Sequence, residues 1–140
     1  HSFPTRRSSD LAKLIKTARM VNNYKSAWVI EKIKNTALNF ELEHHRKPII
    51  ACMGLAFKPN IDDLRESPAL YITKYLLSEK LNVLAVEPNI KSHKEIQLTD
   101  YQTAVSQADI IVFLVAHKEF KNIQLENKTV LDFCGVTAKK

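Results

Sequence analysis

The chain has 140 residues, of which 45% are hydrophobic, and a formal net charge of +6. This length and apolar content suffice for one compact domain with an ordinary core. No apolar run reaches the length of a membrane span and no secretory signal pattern appears, so we expect a cytoplasmic protein with no membrane partner. The basic residues are spread along the chain rather than gathered into a stripe with interleaved aromatics, which argues against nucleic-acid binding.

Residues 1–10 differ in character from the rest of the chain. They show no apolar period and no starting Met, and with Leu11 they resemble the in-frame translation of a common sequencing adapter. We therefore expect residues 1–10 to be a non-native tail, with the native protein continuing upstream, and they are left out of the fold prediction. The alternative is a natural N-terminal tail.

A long amphipathic helix is predicted from Leu11 to about Leu42. Apolar residues recur there at helical spacing, and no glycine or proline occurs between Ala12 and Pro48. The pair Asn22-Asn23 is the expected place for a break, and residues 44–48 end the helix and begin a linker. The apolar stripe can pack on its own domain, or on an upstream domain and a second subunit.

After Pro48, short apolar strands alternate with helices. Strands are predicted at residues 49–53, 82–88, 109–115 and 129–133, helices at 68–81 and 100–108, and a short helix or turn at 117–123. Near-continuous apolar strands alternating with helices are typical of a parallel sheet covered on both faces. The predicted fold class is α/β: a long N-terminal helix followed by a small Rossmann-like, doubly wound parallel sheet.

The loop after the first predicted strand, residues 54–68, is the most informative segment. It reads Gly-Leu-Ala-Phe-Lys-Pro-Asn-Ile-Asp-Asp-Leu-Arg-Glu-Ser-Pro. Ser67 is a good helix N-cap and Pro68 suits the first helical position. A helix N-terminus after a buried strand is a common anion site, and Lys58 and Arg65 add positive charge. The alternative is a solvated loop whose charges pair with each other.

Ligands of open parallel sheets bind beyond the carboxyl ends of the strands, which selects the same loop. An independent NAD site is not expected, because the chain has only Gly54 and Gly135 and no Gly-x-Gly-x-x-Gly run follows the first strand. Glu87 nevertheless ends the second strand, where a ribose-binding acid would stand.

The cysteines and histidines carry weaker signals. Cys52 and Cys134 lie in apolar, strand-like runs and are expected to be small buried hydrophobes in a reducing compartment. The adjacent pair His44-His45 is a poor metal site, so no metal is expected. His117 follows the third strand, either as a surface histidine that caps a turn or as a polar contact to a ligand.

The run 54–68 resembles the hinge of the third domain of the UDP-glucose/GDP-mannose dehydrogenase family, closest to members that act on UDP-N-acetyl-D-mannosamine. The resemblance extends over roughly residues 11–136. It implies that residues 11–47 end the central dimerisation domain and that 48–140 form the UDP-sugar-binding C-terminal domain. It also implies NAD-dependent oxidation of a UDP-sugar to its uronate by a homodimer joined through the 11–42 helix. The NAD-binding domain and the catalytic cysteine would lie upstream, so this chain alone is expected to be inactive.

The resemblance also implies site residues. Phe57 and Lys58 match positions that contact the nucleotide sugar, and Arg65 matches a position that reaches NAD bound by the first domain. Asp62 and Asp63 are expected to hold basic side chains or helix N–H groups rather than perform acid–base chemistry. No catalytic residue is expected in this chain.

Two further residues complete the predicted substrate site. His117 lies at the ligand-facing end of the third strand. Cys134 stands where the family usually has a basic residue, and a neutral thiol cannot pair a phosphate as Arg or Lys would. The alternative function is a stand-alone, non-catalytic module that binds UDP-sugars or dimerises.

Overall fold

The computed structural model describes residues 10–137, and the side chains of residues 25–137. The predicted tail, residues 1–10, therefore lies outside the described residues except for its last position. The elements are α1 Asp10–His44, β1 Ile49–Met53, α2 Pro68–Ser78, β2 Asn82–Val86, α3 Tyr101–Gln107, β3 Ile110–Phe113 and β4 Thr129–Asp132, with a 3-10 turn at Lys118–Phe120.

The four strands form one parallel sheet in the order β2-β1-β3-β4. Side chains of β1 alternate between two apolar layers, with Ile50 and Cys52 on one face and Ala51 and Met53 on the other. Helices α1 and α2 cover the first face, and α3 with the 3-10 turn covers the second. The predicted doubly wound parallel sheet is confirmed.

The strand order places a ligand crevice at a definite position in the sheet. The chain leaves β1 through α2 to reach β2, and then returns past β1 through α3 to reach β3. The order therefore reverses between β1 and β3. In open α/β sheets ligands bind at such a reversal, outside the carboxyl ends of the two strands.

Helix α1 runs without interruption through Asn22 and Asn23, so the predicted break is wrong. Asparagine lowers helix propensity by only a fraction of a kcal/mol, roughly 0.7 or less, and no proline is present to force a kink. The helix ends at His44, and the next residue, His45, takes the left-handed backbone conformation with φ 58°.

The second half of α1 packs on its own domain, as the first of the two alternatives predicted. One side of the helix is buried against the sheet and α2 through Val29, Ile30, Ile33 and Ala37. Trp28, Leu38 and Leu42 are instead more than half exposed. The helix thus buries one apolar face and leaves other large apolar side chains at the surface.

Several predicted ends shift by a few residues. Helix α2 stops at Ser78 rather than at residue 81, because Lys80 adopts φ 63° and turns the chain into β2. Strand β2 stops at Val86, and the following residue, Glu87, turns its carboxylate into the protein. Within residues 10–137, no helix combines the length and the apolar content that crossing a bilayer requires.

The linker after α1 is fastened to the amino edge of the sheet. The Asp109 carboxylate accepts hydrogen bonds from the Arg46 guanidinium at 2.8 and 2.9 Å. It also accepts the first N–H of β1, from Ile49, at 2.9 Å. One carboxylate at the start of β3 thereby joins the linker to two strands.

Candidate functional site

The chain makes a close crossing directly after β1. Gly54 has φ 102°, and a Cβ atom placed on it would lie 2.6 Å from the Cβ of Val115. Its N–H donates to the Val86 carbonyl at 2.8 Å. Only glycine fits this backbone conformation and this approach, so the residue holds the start of the 54–67 loop against the ends of β2 and β3.

Ser67 fixes the other end of the loop, at the N-terminus of α2. Its hydroxyl donates to the Leu55 carbonyl at 2.6 Å and accepts the Leu70 N–H at 3.2 Å. Pro68 follows as the first residue of the helix. The predicted N-cap is confirmed, and it also ties the helix end to the residues just after β1.

A cleft of about 250 Å³ opens at the reversal of strand order. It is bounded by the loop after β1, the first turn of α2, the ends of β3 and β4, and α1. Its lining is mostly apolar, and includes Phe57, Pro68, Phe133, Lys25 and Ser26. The first turn of α2 faces this space, so the geometry combines an apolar wall with a helix N-terminus.

Phe57 and Lys58 are neighbours in the exposed part of the loop beside this cleft. Phe57 lines it and remains 47% exposed. Lys58 is exposed, and its Nζ lies 5.8 Å from the centre of the Phe57 ring. In such an arrangement the ammonium can contact a phosphate while the aromatic ring contacts a base or sugar of the same ligand.

Arg65 lies farther along the loop and is paired within it. Its Nε and Nη2 donate to the Asp63 carboxylate at 3.0 and 2.9 Å. These hydrogen bonds, with that of the Arg65 N–H, lower the pKa of Asp63 to about 2. The expectation that Asp63 holds a basic side chain is confirmed, and the Arg65 side chain stays 88% exposed.

His117 is fully buried, so the expectation of a surface histidine is wrong. Its Nδ1 accepts the Asn60 N–H at 2.8 Å, and its Nε2 lies 2.8 Å from Oε1 of Glu87. Because Nδ1 accepts a hydrogen bond, Nε2 is the ring nitrogen that donates to Glu87. Both ring nitrogens are therefore used inside the protein.

Glu87 is 3% exposed and is not placed to hold a ribose. Its Oε1 accepts the N–H groups of Leu55 and Ala56 at 2.8 and 3.0 Å, and its Oε2 accepts that of Asn89 at 2.9 Å. Burial alone raises the pKa of this carboxyl, but the donors from His117, Leu55 and Asn89 outweigh it and leave the pKa below its usual value. Glu87 is thus a buried anion held by hydrogen bonds.

Cys134 lies just after β4, in a turn organised by Asp132. The Asp132 carboxylate accepts N–H groups from Cys134 and Gly135 at 3.1 and 2.8 Å, and from Thr137 at 2.8 Å. Burial raises the pKa of the Cys134 thiol to about 12, so it is neutral at physiological pH. Its role as a substrate contact stays a prediction.

Of the five predicted site residues, only Phe57 is among the residues that line the cleft in the described part of the chain. Lys58 and Cys134 directly follow the lining residues Phe57 and Phe133, whereas Arg65 and His117 are not next to a lining residue in the loop or after β3. The sequence reasoning missed Lys25 and Ser26 of α1. The helical spacing that Ser26 shares with Val29, Ile30 and Ile33 was a signal that could have found it. The structure shows Ser26 only 3% exposed.

Comparison with known proteins agrees with this geometry. A sequence profile described as the UDP-glucose/GDP-mannose dehydrogenase family, UDP binding domain, matches residues 51–139, well over half of the chain. The chain belongs to the UDP-glucose/GDP-mannose dehydrogenase family. The profile begins within β1 and includes the loop, the cleft-lining end of α2 and all later strands.

Relatives in this family are dehydrogenases of nucleotide sugars. The chain is 42% identical over 137 residues to the NDP-N-acetyl-D-galactosaminuronic acid dehydrogenase of Ralstonia solanacearum, covering 92% of this chain and 31% of that protein. It is 46% identical over 131 residues to the UDP-N-acetyl-D-mannosamine dehydrogenase of Campylobacter jejuni, covering 88% of this chain and 30% of that protein. The chain thus spans about a third of the length of these curated relatives.

A solved structure shows the same fold. The chain superposes on the UDP-N-acetyl-mannosamine dehydrogenase of Staphylococcus aureus with a TM-score of 0.71 and 28% identity. The match covers 92% of this chain and 31% of that one. The predicted family resemblance is therefore confirmed by sequence and by fold.

Proposed function

We propose that this chain is the UDP-sugar-binding C-terminal part of an NAD-dependent nucleotide-sugar dehydrogenase. The substrate is UDP-N-acetyl-D-mannosamine or a related UDP-sugar, which the whole enzyme oxidises to its uronate. The family match and the names of the relatives support the reaction class. The observation that carries the site is the pairing of exposed Lys58 with Phe57, which lines the cleft.

The size and charge of the cleft fit a partial nucleotide-sugar site. Small-molecule sites usually enclose roughly 300–1,000 Å³, and this cleft encloses about 250 Å³. It would hold only part of a ligand as large as a UDP-sugar. Lys58 and the N-terminus of α2 supply the positive potential that a diphosphate requires, and Phe57 supplies an apolar surface.

Two positions of the described residues argue against an NAD site of their own. Gly54 is packed against Val115, so the backbone there cannot approach a pyrophosphate. The Glu87 carboxylate points inward and is used by backbone N–H groups. Arg65, with its exposed guanidinium, is the residue we propose to reach NAD held elsewhere in the enzyme.

A titration with UDP tests the site directly. We expect the amide signals of Phe57 and Lys58 to shift as UDP is added to the chain, and Lys58→Ala to weaken binding by roughly 1.5–3 kcal/mol if the ammonium makes a charged hydrogen bond. Lys47→Ala is the matched control, because it removes the same charge from an exposed lysine at the opposite edge of the sheet. Equal affinities for the two variants would remove Lys58 from the site.

An activity assay tests the division of labour between this chain and the rest of the enzyme. With UDP-N-acetylmannosamine and NAD, we expect the 140-residue chain alone to produce no NADH. Reduction of NAD by the purified chain would contradict the proposal that cofactor binding and the nucleophile lie elsewhere.

We also propose that the whole enzyme is a homodimer joined through the 11–42 helix. The exposed apolar side chains of Trp28, Leu38 and Leu42 support this, because large apolar groups at a helix surface are typical of a buried interface. Sedimentation of the enzyme with Leu42→Glu should show a shift towards monomer. An unchanged dimer would place the interface elsewhere.

A further inference from the structure

The buried pair Glu87–His117 touches both ends of one short exposed segment. This segment, residues 57–59, carries Phe57 and Lys58. Just before it, the Ala56 N–H donates to Glu87 at 3.0 Å. Just after it, the Asn60 N–H donates to His117 at 2.8 Å. Because Glu87 and His117 are bonded to each other at 2.8 Å, the two ends are joined through a single rigid bridge.

Asn60 strengthens the second attachment. Its side-chain oxygen accepts the N–H of Lys118, the residue after His117, at 2.8 Å. Its own backbone has φ 62°, a left-handed conformation that asparagine tolerates better than most residues. Asn60 therefore makes two hydrogen bonds, in opposite directions, to the chain that follows β3.

The bridge is costly and is not needed to hold the sheet. Burying a carboxylate and an imidazole rarely stabilises a fold more than apolar residues of similar size would. Strands β1, β2 and β3 already pair along their full backbone registers. What the bridge adds is a fixed position for a three-residue segment that contributes no strand or helix of its own.

We propose that Glu87 and His117 are positioning residues for the nucleotide-sugar site, which hold Phe57 and Lys58 in place by fixing both ends of segment 57–59. This inference rests on the proposed function for the identity of the ligand. It also changes the role of His117, which acts through the loop instead of touching the substrate. Groups that bind a ligand are effective when neighbouring residues lock their position beforehand.

The test compares His117→Gln with Asp109→Asn in the 140-residue chain. A glutamine NH2 group can still donate to Glu87, but the amide has no acceptor at the position of Nδ1, because its oxygen lies one bond farther along the side chain. The Asn60 N–H therefore loses its partner, and one end of the segment is released. Asp109→Asn is the matched control. It removes the charge of another carboxylate that also accepts a backbone N–H, but at the opposite edge of the sheet. UDP affinity is measured by calorimetry, and the amide signals of Phe57, Lys58 and Asn60 are recorded without ligand.

We expect His117→Gln to lower the UDP affinity by about fivefold, the effect of one lost hydrogen bond, and to move the three amide signals before UDP is added. Asp109→Asn should leave the UDP affinity and the three amide signals at wild-type values, even if it lowers the melting temperature. Asn60→Gly is the second variant, since it removes the bond to Lys118 from an exposed position, and it should weaken UDP binding in the same direction.

Wild-type affinity and unmoved amide signals in folded His117→Gln would overturn the positioning role, and the same result in Asn60→Gly would remove only the attachment to Lys118. Should His117→Gln fail to fold, hydrogen exchange of the Asn60 amide in the wild-type chain decides, because that N–H is held by buried His117 and an unprotected exchange rate would overturn the bridge. Absence of UDP binding by the wild-type chain would count against the proposed function instead, while the amide signals measured without ligand would still decide whether the pair holds the segment.

Discussion

Two carboxylates stand at opposite edges of the same sheet, and each accepts at least one backbone N–H from the chain that passes beside it. At the amino edge, Asp109 accepts from Ile49 and pairs with Arg46, whose side chain is 55% exposed. At the carboxyl edge, Glu87 accepts from Leu55 and Ala56 and pairs with His117, and neither side chain of that pair is exposed.

The difference shows where this fold uses rigidity. Water can replace an exposed partner at little cost, so the Arg46–Asp109 pair attaches the linker to the sheet without holding the linker in one fixed position. Water cannot reach Glu87, and removal of its carboxylate would leave buried donors without acceptors. The edge that carries Phe57 and Lys58 is therefore the edge whose hydrogen bonds are buried.

The largest effect on stability is expected from Glu87→Ala. This change leaves the Leu55 and Ala56 N–H groups and His117 without their common acceptor, and it should lower the free energy of unfolding by roughly 3–5 kcal/mol. Urea unfolding of both proteins at neutral pH measures it. Asp109→Ala is the control and should cost clearly less, because its main partner is exposed; equal losses would break the comparison between the two edges.

The next largest effect is expected from Gly54→Ala, which strains the same edge. The new Cβ would meet Val115 at 2.6 Å in a left-handed backbone, and we expect a loss of roughly 2–4 kcal/mol. Gly135→Ala separates the two causes, because Gly135 has φ 83° but no atom within 4 Å of the added Cβ. It should cost only roughly 1–2 kcal/mol. Thermal unfolding of both variants checks the order, and a smaller loss at Gly54 would contradict the close crossing.

Asp132, a second carboxylate at the carboxyl edge, makes the stability of the fold depend on pH. The N–H and hydroxyl donors around Asp132 outweigh its partial burial and lower its pKa to about 2. Since its unfolded pKa is about 3.9, the stability it contributes is present above about pH 4 and is lost as the pH falls towards 2. Unfolding curves of wild type and Asp132→Asn should therefore differ at neutral pH and converge in acid. A constant difference across this range would show that the charge of Asp132 plays no part.

The fold was largely predictable from the sequence because its signals are local. The run Ile49–Met53 is wholly apolar, as a strand buried on both faces must be. The pair Ser67-Pro68 marks the start of α2 within a single turn of chain. The break expected at Asn22-Asn23 is absent, because asparagine lowers helix propensity only slightly whereas a proline would interrupt the helix.

The candidate site was predictable only in part, because much of it depends on which way side chains turn. Lys58 and Phe57 are predicted from their place after β1 and from the family resemblance, and of the two Phe57 lines the cleft. Glu87 and His117 also follow strands, and the sequence gives no sign that their side chains point inward and meet across 30 positions. Only the assembled sheet brings the ends of β2 and β3 together, and with them this buried pair.

The smallest effect is expected from Asp63→Asn, which removes an ion pair at the same edge as Glu87. Arg65 is 88% exposed there, so losing the pair should leave the melting temperature unchanged within error. Segment 57–59 should also keep its position, because Phe57 donates its N–H to the backbone carbonyl of Asp63, at 2.7 Å, and not to the carboxylate. Amide signals of Phe57 and Lys58 and a UDP titration measure this. A marked loss of affinity in Asp63→Asn would mean that exposed charge, and not buried hydrogen bonding, sets the geometry of this edge.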